Sequence, residues 1–131
     1  MTAPTPLSRD VAGLAVLLAV SGVTHLVRPE VYEGMVPHAL GRRRELVYAS
    51  GVAELLCAAG LLVPRTRRVA GWASAGLLVA VFPANVQMTL DRGRRASSTG
   101  DPAARATFVA TLGRLPLQWP LIRSALRAAG R

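Results

Sequence analysis

Leu46-Val47-Tyr48-Ala49-Ser50-Gly51-Val52-Ala53-Glu54-Leu55-Leu56-Cys57-Ala58-Ala59-Gly60-Leu61-Leu62-Val63 is an apolar run with a single charged side chain, Glu54, eight residues in. Its length is that of a membrane span, which needs about 17 to 25 residues. A carboxylate at this depth costs about 2.5 to 3.5 kcal/mol near a helix centre on insertion scales, so it marks a counter-ion or a function.

Two further runs match it. Residues 11–27 carry only Ser21, Thr24 and His25 as polar side chains, and residues 69–90 are comparably apolar. None of the three has the helical-period amphipathicity that a water-facing bundle requires. Half of the chain is hydrophobic (51%), and its mean hydropathy is +0.34. All 16 basic residues are arginines gathered between the apolar stretches, as in a helical membrane protein. Net charge of +9 would otherwise suggest nucleic acid. No basic stripe is interleaved with stacking aromatics, however, and the arginine clusters read more simply as anchors for anionic lipid of the bilayer.

A fourth run, residues 106–125, is interrupted by Arg114, Gln118, Arg123, Pro116 and Pro120. It is expected to span as well, because polar residues can face a bundle interior and neighbours can satisfy a kinked backbone. The fold expected is therefore all-α: one domain, a four-helix transmembrane bundle with spans 11–27, 46–63, 69–90 and 106–125. Residues 28–45, with Pro29, Pro37 and Gly41, are expected to form an irregular connection, residues 64–68 a tight turn, and the Gly, Ser and Arg-rich residues 91–105 a loop. The first run has the length of a signal sequence but is read as a retained helix. Four spans put both termini on one side. The three arginines of the short second turn, Arg65, Arg67 and Arg68, place that side in the cytoplasm of a bacterial inner membrane.

Cys57 is alone, which excludes an intramolecular disulfide and a paired-thiol redox site. No metal-ligand cluster is visible. The chemistry rests instead on polar residues inside the spans: His25, Glu54, Asn85, Gln87, Arg114 and Gln118. Counted inward from the face that carries the first and third loops, His25 lies about two residues deep, Asn85 five, Glu54 eight, Arg114 eight to ten and Gln118 twelve, at about 1.5 Å each. They form a one-sided ladder, with Arg114 as the expected counter-ion of Glu54. Ser21 with His25, and Ser50 with Glu54, are i, i+4 pairs inside a short echo, Ser21-Gly22-Val23-Thr24-His25-Leu26 against Ser50-Gly51-Val52-Ala53-Glu54-Leu55.

The segments Met35-Val36-Pro37, Glu45 to Leu56, Gly60 to Arg68, Val81-Phe82-Pro83-Ala84-Asn85-Val86-Gln87-Met88 and Arg114-Leu115-Pro116-Leu117-Gln118 together resemble the DoxX-like family of small bacterial membrane proteins. The resemblance implies a four-helix inner-membrane protein that is an accessory or redox-associated subunit. The ladder itself is read as a polar cavity open to the loop side, for a quinone head group, a proton or a small polar solute, and a membrane or soluble oxidoreductase is the partner expected of a redox-associated subunit. The alternatives are a small proton-coupled transporter, in which Glu54 exchanges a proton for a cation, and a purely structural or assembly partner. Arg114 discriminates: a Glu54–Arg114 ion pair keeps the carboxylate ionised and unavailable for cation exchange, which favours a structural or anion-oriented site, and a purely structural partner predicts no cavity. A homo-oligomer is compatible with any of the three.

Overall fold

The computed structural model describes residues 6–34, 36 and 41–131, and all regular structure in them is helical. Five helices follow in order: α1 (Arg9–Val27), α2 (Glu30–Glu33), α3 (Arg43–Leu62), α4 (Arg67–Thr99) and α5 (Pro102–Ala128). The all-α expectation holds, with one short helix, α2, more than the four expected. Met35 and Pro37 lie outside the described residues.

Residues 91–99 correct the sequence reading: they continue α4 instead of forming a loop. Arginine and alanine are strong helix formers, and Gly93 does not break the helix because it is a contact point. A Cβ there would stand 2.9 Å from the Phe108 ring. The reversal is confined to Gly100, left-handed at φ 64°, and Asp101. The Asp101 carboxylate accepts from the Ala103 amide at 3.1 Å, and Pro102 follows at the first helical position. At the other end of α4 the reversal is equally short. Thr66 donates to the Gly60 carbonyl at 2.9 Å and Arg67 Nε to the Leu61 carbonyl at 2.8 Å, closing carbonyls that α3 leaves open.

α1 packs along α3 and α4 along α5, giving two helical hairpins. They meet through α3 against α4, where a Cβ on Gly60 would fall 2.7 Å from that of Ala70, and through α1 against α5, where Arg127 Nη1 pairs with Asp10 Oδ2 at 2.8 Å. The N-terminal end of α1, the C-terminal end of α5 and the α3–α4 turn thus share one end of the bundle. That end is dry. Val11, Leu14, Leu18, Cys57, Leu61, Leu78 and Ala125 form its core. The opposite end holds the buried polar residues His25, Glu54, Asn85, Thr89 and Gln118.

The outer surface is apolar. Val16, Val20 and Val27 on α1, Leu56 on α3, Val69 and Val79 on α4, and Val109, Leu117 and Trp119 on α5 are all exposed. Polar groups inside and hydrocarbon outside is the arrangement a bilayer stabilises. α1, α3 and α4 are long and apolar enough to cross a membrane, by length and composition, and are compatible with a membrane protein; α5 is not among them.

Candidate functional site

The sequence echo becomes a helix crossing. On α1 and α3 the Ser-Gly segments face one another: a Cβ on Gly22 would lie 2.9 Å from the Gly51 carbonyl, and one on Gly51 would lie 2.7 Å from the His25 Cβ. Only glycine at both positions lets the backbones come this close. The close approach brings the polar residue that follows each glycine across to the partner helix.

His25 and Glu54 meet there, and both are buried, at 8% and 7% exposure. His25 Nδ1 lies 3.0 Å from Glu54 Oε2, while Ser21 Oγ donates to Glu54 Oε1 at 3.1 Å. Nδ1 also lies 2.7 Å from the Ser21 carbonyl, which can only accept, so Nδ1 carries a hydrogen directed there. Glu54 Oε2 is therefore within ion-pair distance of the imidazole but receives no directed hydrogen bond. Ser50 Oγ, one turn earlier on α3, is likewise buried without a partner. Tyr32 of α2 lies flat on the imidazole, with centroids 3.6 Å apart and planes 13° from parallel.

The rest of the ladder divides. On the α4–α5 hairpin, Asn85 Nδ2 donates to Gln118 Oε1 at 3.4 Å, and Gln118 Nε2 donates to the Leu78 carbonyl. That carbonyl lies about one turn before Pro83, where the missing N–H and the ring loosen the helix. Thr89 shares this cluster, with its hydroxyl on the Asn85 carbonyl at 3.0 Å. Asn85 and Gln118 thus stand at one level, not seven residues apart as the expected loop had implied, because α4 runs on to Thr99. Gln87 is not in the site; it donates to Asp91 Oδ1 of its own helix at 3.0 Å.

Arg114 corrects the main expectation. Its charge acts on Glu54 through space, but among the described residues no ion pair of Arg114 with any carboxylate occurs, and its side chain is exposed. The histidine occupies the place at Glu54 expected for the arginine. Of the site residues the sequence reading did not assign, Ser21 carried a signal in its i, i+4 spacing to His25. Tyr32 carried none, since it comes from a four-residue helix in the connection.

Two open, shallow cavities lie at the α4–α5 turn, away from the His25–Glu54 pair. The more enclosed one, about 220 Å³, is lined by Arg92, Arg95, Asp101 and Thr107 among others. No group of three or more His, Cys, Asp or Glu capable of holding a metal occurs among the described residues.

Comparison with known families overturns the DoxX resemblance. The model that matches, over residues 14–129, is described as a domain of unknown function (DUF8561) and is not a DoxX model. No curated protein and no solved structure matches the chain.

Proposed function

The chain belongs to the family described as domain of unknown function (DUF8561), which assigns no chemistry, and from its own residues we propose a four-span membrane protein whose His25–Glu54 pair exchanges protons as the coupling site of a small proton-linked transporter. One observation carries the reading. The buried carboxylate at Glu54 has a titratable imidazole beside it rather than a permanently charged guanidinium. A glutamate paired with arginine is held as an anion across the physiological range. A glutamate paired with histidine can share, gain or lose a proton there, and the pair titrates as a unit.

α5 is the fourth span in this reading. Its polar residue Gln118 is buried against Asn85, and its prolines lie within a helix packed along α4. The termini and the arginine-rich α3–α4 turn face the cytoplasm of a bacterial inner membrane, and the arginine clusters contact anionic lipid. The oxidoreductase-associated reading drew on the DoxX resemblance and falls with it; a quinone head group at the polar ladder is set aside here in favour of a proton because the pair at Glu54 is with an imidazole.

The test is proton counting. Purified protein in lipid nanodiscs is titrated between about pH 5 and 8 beside Glu54→Gln and His25→Gln. The wild type is expected to bind about one proton more than Glu54→Gln across that window. Equal uptake by both overturns the reading.

A further inference from the structure

The pair lies near one end of the bundle, yet both members are more than nine-tenths buried. On the side away from the connection they are shut off by the dry core of Leu14, Leu18, Leu61 and Leu78. On the other side α2 stands over them. Tyr32 covers the face of the His25 ring, and α2 is tied to the first turn of α3 by Glu33 with Arg44 and to the end of α1 by Glu30 with Arg28 at 2.7 Å. α2 buries no residue of its own, and its ion pairs are exposed, so they hold weakly. The stack on His25, the buried Pro29 at the start of α2, the edge ion pairs and the bond from Arg43 Nε to the Val36 carbonyl together seat this four-residue helix above the buried pair, and only the stack touches the pair itself.

We propose that Tyr32 is the positioning residue of the His25–Glu54 pair and the cap that closes its access to water, so that protons reach the pair only from the α2 side when Tyr32 lifts. This rests on the proton-exchange reading above. The stacked ring fixes the imidazole plane, which keeps Nδ1 aimed at the Ser21 carbonyl and beside Glu54. The phenol hydroxyl has no part in this, because the contact is ring on ring. Phenylalanine therefore replaces tyrosine, and alanine does not. The charged and titratable groups around the cap are Glu30, Glu33 and Arg28 of the α1–α2 segment and Arg43, Arg44 and Tyr48 of α3; the ring stacked on the imidazole face is that of Tyr32.

The experiment is acylation of His25 by diethyl pyrocarbonate in nanodiscs, followed by fragment-ion mass spectrometry that separates His25 from His38 in the peptide of residues 10–42. The wild type and Tyr32→Phe are expected to react at the same slow rate, and Tyr32→Ala about fivefold or more faster, as loss of an aromatic stack allows. Equal rates in Tyr32→Ala and wild type, or acceleration in Tyr32→Phe as large as in Tyr32→Ala, overturn the cap. Should Tyr32→Ala lose its helical structure, Glu33→Gln supplies the second variant. It frees one tether with the ring in place and is expected to accelerate His25 less than twofold; a rise of fivefold or more there assigns the cap to the ion pair and overturns the role of Tyr32. Proton uptake separates the two claims. Uptake equal in wild type and Glu54→Gln sinks the proton-exchange reading whatever the acylation rates, whereas a normal uptake difference with uniform acylation rates sinks only the cap.

Discussion

Ser21 donates one hydrogen bond across a helix interface, to Glu54 Oε1 at 3.1 Å, and its own carbonyl accepts the imidazole N–H. Removing the hydroxyl leaves a buried carboxylate oxygen unsatisfied, so Ser21→Ala is expected to destabilise the protein by about 1 kcal/mol in detergent denaturation. The histidine is the stronger partner. In a double-mutant cycle Glu54→Gln should couple with His25→Phe by about 1 kcal/mol or more, and with Arg114→Leu by much less, since only the first pair is in contact. Equal couplings would restore the arginine as counter-ion. At this scale the sequence was informative about which residues matter and poor on which touch. A charge deep in an apolar run identifies Glu54 by cost alone, but depth counts along separate helices cannot decide whether His25 on α1 or Arg114 on α5 faces it. That choice is made by the Gly22–Gly51 approach, which pulls α1 onto α3. Outside the bundle, the hydrogen bond from Arg28 holds the exposed Glu30 carboxyl below its ordinary range. Its small contribution to seating α2 is thus present at neutral pH and lost as pH falls through that lowered value. A carboxyl NMR titration of Glu30 in wild type and Arg28→Gln should show the difference.

The α1–α3 crossing is the element on which the site depends. A methyl group at position 51 would press on the Cβ of His25 itself, at 2.7 Å, so Gly51→Ala must push the histidine or the whole of α1 aside. The expected loss is about 1 to 3 kcal/mol, together with loss of the proton-uptake difference between this background and its Glu54→Gln derivative. Gly76→Ala on α4, where a Cβ meets nothing within 4 Å, is the matched control and should leave both unchanged. The echo of Ser-Gly-Val signalled this crossing in the sequence, although six residues cannot say whether two copies meet or merely recur. The reach of α4 was not legible in the same way. Composition favoured a loop over 91–105, and only the packing of Gly93 under Phe108 and the Gly100-Asp101-Pro102 reversal show that the helix continues.

Over the whole molecule, α4 with its 33 residues is about 50 Å long, whereas α1 with 19 is about 28 Å. An apolar core about 30 Å thick holds the shorter helix entirely, so the α4–α5 turn with Arg92, Arg94 and Arg95 stands out beyond it. In a Cys57→Ala background, Ser98→Cys should react with an impermeant maleimide in intact spheroplasts and Thr66→Cys only in inverted vesicles; the reverse pattern would invert the proposed orientation. The halves of the bundle, one dry and one polar, have an electrical consequence. Embedded as proposed, Glu54 lies eleven residues into α3 and against His25, two residues from the end of α1, which brackets its depth below the α2 side at about 3 to 16 Å, at 1.5 Å per residue, in a core of roughly 30 Å. The dry half beneath it is the insulator across which the rest of the membrane voltage falls. A proton arriving at Glu54 therefore moves through part of the field, up to about half of the roughly 2.3 kcal/mol per 100 mV of a full crossing. Proteoliposomes clamped with potassium and valinomycin should show that dependence, which would make the pair a voltmeter as well as a proton site.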